Sequence, residues 1–197
     1  MDPTSMFKAV WPLVLLFFLT ACGGGGNASN GDSCDPTHIP EARFKANSQQ
    51  LAVYQSTDCS YADLFIKGVN LGVASPGKYA GDLETAATYE DFIRWFGLMT
   101  DAGINVVRVY TLHMDFFYDA VYDFNIAREA AGEAPLYIAH GIWLDEAVPA
   151  VDLYSVTDGF STNIREVIDA VHGDVTLDYV GRPGKGYGTY TSDVSPW

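Results

Sequence analysis

Two segments of the sequence, Ile104–Thr111 ("INVVRVYT") and Leu136–Trp143 ("LYIAHGIW"), are apolar on both parities. Side chains alternate across a strand, so a strand of this kind must be covered on both faces. Parallel sheets flanked by helices provide that cover. A third segment, Leu64–Leu71, also reads as a strand. Helical patterns separate the three. Tyr89, Phe92, Ile93, Phe96 and Met99 form one apolar stripe behind the capping residue Thr88, with Glu90 and Asp91 in the first turn and Gly103 at the end. A second helix is expected from about Asp115 to Glu129, striped by Phe117, Val121 and Phe124. After a long loop, Ile164, Val167, Ile168 and Val171 mark a third. This alternation predicts an α/β fold with a parallel sheet.

The N-terminus carries an address. Lys8 precedes an apolar run from Ala9 to Ala21 that is too short to span a bilayer and has the form of a secretory signal. It ends in "LTAC", Leu19 to Cys22, which resembles the lipobox of bacterial lipoproteins. That resemblance implies removal of residues 1–21 and lipidation of Cys22. The chain would then be held on the bacterial cell envelope, facing the periplasm or the outside. Residues 22–33 are glycine-rich and read as a flexible tether. Residues 34–63 read as short strands and turns, and 64–197 as the α/β domain. Cys34 and Cys59 remain, and in an oxidising compartment they are expected to pair, worth about 3 kcal/mol by chain entropy.

Charge narrows the partners. Lys and Arg total 11 against 25 Asp and Glu, a net −14. Such a chain repels nucleic acid and anionic membrane surfaces, so membrane contact is expected only through the lipid anchor. The four histidines show neither helical pairing nor cysteine company, and no metal or other cofactor is expected.

Arg108 stands inside an otherwise apolar strand, where an unpaired guanidinium is expensive. It shares its parity with Val106 and Tyr110. Asn70 occupies a similar place near the end of the first strand, and His140 near the end of the third. Active sites of α/β folds gather at the carboxyl ends of their strands. The expectation is that Asn70, Arg108 and His140 converge there, with Arg108 paired to a carboxylate and Val107 and Val109 turned toward the helices. Trp143, just beyond His140, offers a face for stacking or a core ring with equal weight.

The segments "FIKGVNLG", "YEDFIRWFGLMTDAGINVVRVYTL" and "PLYIAHGIW" together resemble the opening units of the clan A retaining glycoside hydrolases. The resemblance implies the first three βα units of a (β/α)8 barrel acting on a glycan, with Arg108 orienting a catalytic nucleophile and His140 lining a sugar subsite. Asn70, Tyr110 and Trp143 would add substrate contacts. In that clan the catalytic glutamates follow the fourth and seventh strands, so none is assigned in this sequence. The chain is expected to be an N-terminal portion of a longer enzyme or a degenerate copy, and inactive by itself. The alternative is a non-catalytic surface lipoprotein that binds carbohydrate or a protein.

Other motifs are weaker. "GRPGKGYG" lacks the Ser or Thr and the following helix of a phosphate loop, and reads as a flexible loop from which Tyr187 and Tyr190 could reach a sugar. His113 is expected to be a solvated loop residue, and His172 to end the third helix. Asp145 and Glu146 adjoin the expected pocket but read as surface charge.

Overall fold

The computed structural model describes residues 34–35, 40, 42–46, 49–72, 87–143, 152–178 and 184–197. The signal, Cys22 and tether, together with Asp145 and Glu146, lie outside the described residues.

A small antiparallel sheet comes first, in the order β1 (Phe44–Ala46), β2 (Leu51–Gln55), β3 (Ser60–Leu64). The turn between β2 and β3 is tied to Cys34 through the Cys34–Cys59 disulfide. Then come β4 (Gly68–Asn70), β5 (Val106–Val109) and β6 (Tyr137–His140), a parallel sheet in sequence order. Helix α1 (Tyr89–Asp101) lies between β4 and β5, and α2 (Asp115–Ala130) between β5 and β6. A 3-10 turn, Leu153–Val156, leads into α3 (Thr157–Val171). The mixed α/β architecture is as expected; the three-stranded sheet does not close into a barrel.

The first expected strand, Leu64–Leu71, is two strands. Leu64 ends β3 opposite Leu51, and the chain turns through Phe65–Lys67 before β4. Asn105 makes the turn possible. Its side-chain amide donates to the Phe65 carbonyl at 2.8 Å and accepts from the Lys67 N–H at 2.7 Å. A carboxamide that pairs with both backbone groups replaces a missing ladder rung. Asn125, fully buried on α2, does the same at the entry to β6. It donates to the Leu136 carbonyl at 3.0 Å and accepts from the Leu136 N–H at 2.8 Å.

Helix α1 starts at a capping box. The Thr88 hydroxyl accepts from the Asp91 N–H at 3.2 Å, and the Asp91 carboxylate accepts from the Thr88 N–H at 3.2 Å. It ends where Gly103 takes φ 78°, a left-handed conformation that suits glycine. Phe92 and Phe96 are buried against Phe117 of α2, edge to face, with ring centroids 5.0 and 6.0 Å away. Val107 and Val109 join that core with no exposed surface, turned toward the helices as expected. Along α3 the expected stripe holds only partly, because Val167 is buried while Ile168 is half exposed.

The C-terminal segment contains a ladder that the sequence pattern did not reveal. β7 (Val175–Leu177) pairs antiparallel with β8 (Gly188–Tyr190), apart from the main sheet. Beyond β8 the chain is laced to the rest. Ser192 donates to Asp119 at 2.6 Å, the Val194 N–H to the Val171 carbonyl, and the Trp197 indole to Glu129 at 2.7 Å. The Trp197 carbonyl accepts from the Ile138 N–H on β6. Arg43, one residue before β1, donates to the Pro196 carbonyl at 2.8 Å, and Phe44 meets Tyr137 edge to face.

Candidate functional site

The carboxyl ends of β4 and β5 bring two of the expected residues together. Asn70 and Arg108 are register partners, and the Leu71 N–H continues the ladder to the Arg108 carbonyl at 2.8 Å. Partners in a parallel ladder project to the same face, here the face away from Val107 and Val109. Both side chains are exposed. The Arg108 guanidinium lies over the Tyr110 ring, 4.5 Å from its centroid. A cation on an aromatic face is held electrostatically, worth about 0.5–1 kcal/mol in an exposed setting. The expected carboxylate partner is absent among the described residues; the guanidinium is tolerated because it is solvated.

His140 is elsewhere. The register pairs Arg108 with Ala139 and Val109 with His140. His140 therefore lies on the helix side of the sheet, and the expected convergence of three polar residues does not occur. The error is one residue of register. Aligning the polar residues by their nearness to the strand ends put Arg108 beside His140, but β6 begins at Tyr137 opposite Val106. A one-residue slip moves a whole strand's side chains to the other face.

On the helix side the part-buried His140 joins a polar cluster with the buried Tyr118 and His113. The His140 Nδ1 is 2.9 Å from the Gly141 carbonyl, which can only accept, so Nδ1 carries the proton. Its Nε2 is then bare and accepts from the Tyr118 hydroxyl at 2.7 Å. Burial holds the His140 imidazole down at about 4, partly opposed by the Gly141 carbonyl. Tyr118 is 1% exposed, and burial, then neighbouring Tyr190, raises its phenol well above the usual value. Both ring nitrogens of His140 are thus engaged, which fits a brace between β6 and α2 better than a sugar ligand.

His113 overturns its expectation outright. It is 2% exposed, with its ring stacked on Phe117 at 4.3 Å and edge-on to Phe92. Burial, and then the charge His140 would carry, lowers it to about 3. Its Nε2 has no hydrogen-bond partner among the described residues. Tyr190 is likewise buried, donating to the His113 carbonyl at 2.7 Å rather than overhanging a pocket. The described end of the "GRPGKGYG" loop is closely fitted. The Gly186 N–H donates to the Leu112 carbonyl at 2.8 Å, and a Cβ at Gly186 would fall 1.8 Å from the His113 carbonyl oxygen. His172, as expected, caps the C-terminus of α3.

Trp143 is 55% exposed. It borders a cleft with Thr111, Ile142, Asn163 and Glu166 of only about 10 Å³, room for about one water and not for a sugar ring. A larger cavity of about 190 Å³ lies beside the edge of β6 on the helix side, lined by Phe44, Val121, Ile138, His140, Val194 and Trp197 among others. Its lining is mainly apolar and does not include Arg108 or Asn70.

Sequence reading missed Tyr118 and His113 as partners. Tyr118 follows Phe117, and its place beside the expected stripe was visible; the bond to His140 required the register. No protein-family model, curated protein or solved structure matches the chain.

Proposed function

We propose that β4, β5 and β6, with α1, α2 and α3, are the first units of a (β/α)8 barrel of the glycoside hydrolase type, carried on the bacterial envelope through Cys22. The sheet face bearing Asn70, Arg108 and Tyr110 is its glycan-binding face. The observation that carries this reading is the pairing of Asn70 with Arg108 at the carboxyl ends of adjacent parallel strands, on the face turned from the helices. A planar guanidinium, a carboxamide and an aromatic ring are the groups that bind sugar hydroxyls and stack on the apolar face of a pyranose. No catalytic carboxylate is assigned, and the retaining mechanism rests on the sequence resemblance alone. His140 is left out of this site, and so is Trp143, whose exposed ring borders a different, water-sized cleft.

A second reading, a non-catalytic carbohydrate binder, is favoured by the solvated Arg108. With no carboxylate partner among the described residues, its donor fork can serve a ligand instead of holding a nucleophile. Both readings require glycan contact at Arg108. A glycan array probed with the chain and with Arg108→Ala tests this. Retention of a defined glycan set by the parent, lost in the variant, supports the reading. Equal retention by both, or none by either, overturns it.

A further inference from the structure

We propose that the cluster of His113, Tyr118 and His140 is an acid-released latch that holds the C-terminal segment 184–197 against α2 and the sheet. The cluster is built so that each part depends on its neighbours. Tyr118 donates to His140 Nε2 at 2.7 Å, and Tyr190 of the segment donates to the His113 carbonyl at 2.7 Å. The Tyr118 and Tyr190 rings meet edge to face at 5.2 Å. Further ties converge on the same loop: the Thr111 hydroxyl donates to the Gly184 carbonyl at 3.3 Å, the Gly186 N–H to the Leu112 carbonyl at 2.8 Å, and the Thr189 N–H to Asp115 at 3.1 Å.

Protonating His140 breaks this arrangement in a specific way. Nδ1 still donates to the Gly141 carbonyl, but Nε2 becomes a second donor. The Tyr118 hydroxyl then loses its acceptor inside a core where an unmet donor is costly. Among the described residues no ion pair reaches either imidazole. Against His113, α1 presents the Phe92 ring, α2 the Phe117 ring, and β6 the second imidazole, His140. The nearer acids of α2 are occupied from the segment itself: Asp115 by the Thr189 N–H and Asp119 by the Ser192 hydroxyl. From the segment, Tyr190 faces the cluster, and Lys185 reaches Asn163. Opening the segment brings water to the His113 ring, which is 2% exposed, and widens the cavity that His140 already lines. The expected relief is local, because α1 also packs on α2 through Phe96 and Phe124; of the cluster, His113 meets the Phe92 and Phe117 rings and Tyr118 meets Phe117. This inference is independent of the glycan reading, since His140 and Arg108 lie on opposite faces of the sheet.

Hydrogen exchange read by mass spectrometry on the whole chain, at pH about 7 and about 4.5, tests the latch once intrinsic exchange rates are divided out. Protection in 184–197 is expected to fall at least about tenfold at the lower pH while α1 and β5 keep theirs. The double variant His113→Phe, His140→Gln retains a ring on Phe117 and an acceptor for Tyr118 but cannot titrate, and it is expected to stay closed. Exchange rising equally everywhere, a segment that stays protected in the parent, or a variant that opens like the parent overturns the proposal. Should the variant not fold, nitrogen-15 spectra of the parent's imidazoles decide. His140 is expected as the Nδ1–H tautomer at neutral pH and to become charged in step with segment opening. A charged His140 under a still-protected segment overturns it.

Discussion

His140 stands beside Val109 in the register of β5 and β6, on the sheet face opposite Arg108. That single relationship divides the polar residues at the strand ends into two groups with different work. Asn70 and Arg108 meet solvent. His140 reaches toward α2 and receives the Tyr118 hydroxyl at 2.7 Å.

Removing that hydroxyl tests the inner group. Tyr118→Phe leaves the part-buried His140 Nε2 without its donor and should cost about 1 kcal/mol in urea unfolding at neutral pH. A loss under about 0.3 kcal/mol would show that the bond contributes nothing net.

The pH dependence has a definite sign. His140 sits at about 4 and His113 at about 3 in the folded chain, below the ordinary 6.5. Depressed imidazoles favour the neutral form, so the stability they confer is present above pH about 6.5 and is lost as pH falls from there toward 4 and then 3. For His140 alone the shift corresponds to about 3 kcal/mol. Urea unfolding across this range is expected to show stability falling with acid, and His140→Gln should flatten the slope. Stability that rises on acidification through this window would contradict the assignment.

Asn125 offers a second test of the frame. Its amide closes both backbone groups of Leu136 in a fully buried setting. Asn125→Leu should remove two hydrogen bonds and orphan two backbone groups, at a cost of about 2–4 kcal/mol by chemical denaturation. Asn125→Asp, which keeps only the acceptor, should also fail to restore stability.

Gly186 is constrained by space, because a Cβ there would fall 1.8 Å from the His113 carbonyl oxygen. Gly186→Ala must displace the segment or the loop. A melting temperature lowered by several degrees is expected, with faster exchange at Tyr187–Tyr190. An unchanged melt would mean that the two strands of chain do not lie as close as described.

Periodicity made the helices and the sheet class legible. The Thr88 cap, the Phe92–Phe96 stripe and the burial of Val106 on one face of β5 and of Val107 and Val109 on the other are local patterns, and each survived. What failed depended on non-local pairing. Nothing in "YIAH" says that Tyr137 aligns with Val106, yet that alignment alone decides which face His140 takes. The split between Leu64 and Gly68 depends on Asn105, a residue some forty positions away in sequence whose amide reads the same as any loop asparagine. The β7–β8 ladder was obscured for a similar reason. Val175–Leu177 and Gly188–Tyr190 are each three residues long, too short to show a period. Arg108 was placed at the strand end correctly, but its neighbour is the Tyr110 ring instead of the expected carboxylate.

The glycan-binding face stands or falls at Asn70 and Arg108. Two-dimensional nitrogen-15 spectra of the chain, titrated with an oligosaccharide retained on the array, read both side chains through the Asn70 amide and the Arg108 Nε–H. Saturable shifts at these two resonances and at the Tyr110 backbone are predicted, and they should vanish in Arg108→Lys, whose ammonium lacks the planar fork. Shifts confined to the helix side around His140, or no shift at any glycan concentration reached, would contradict the assignment of this face.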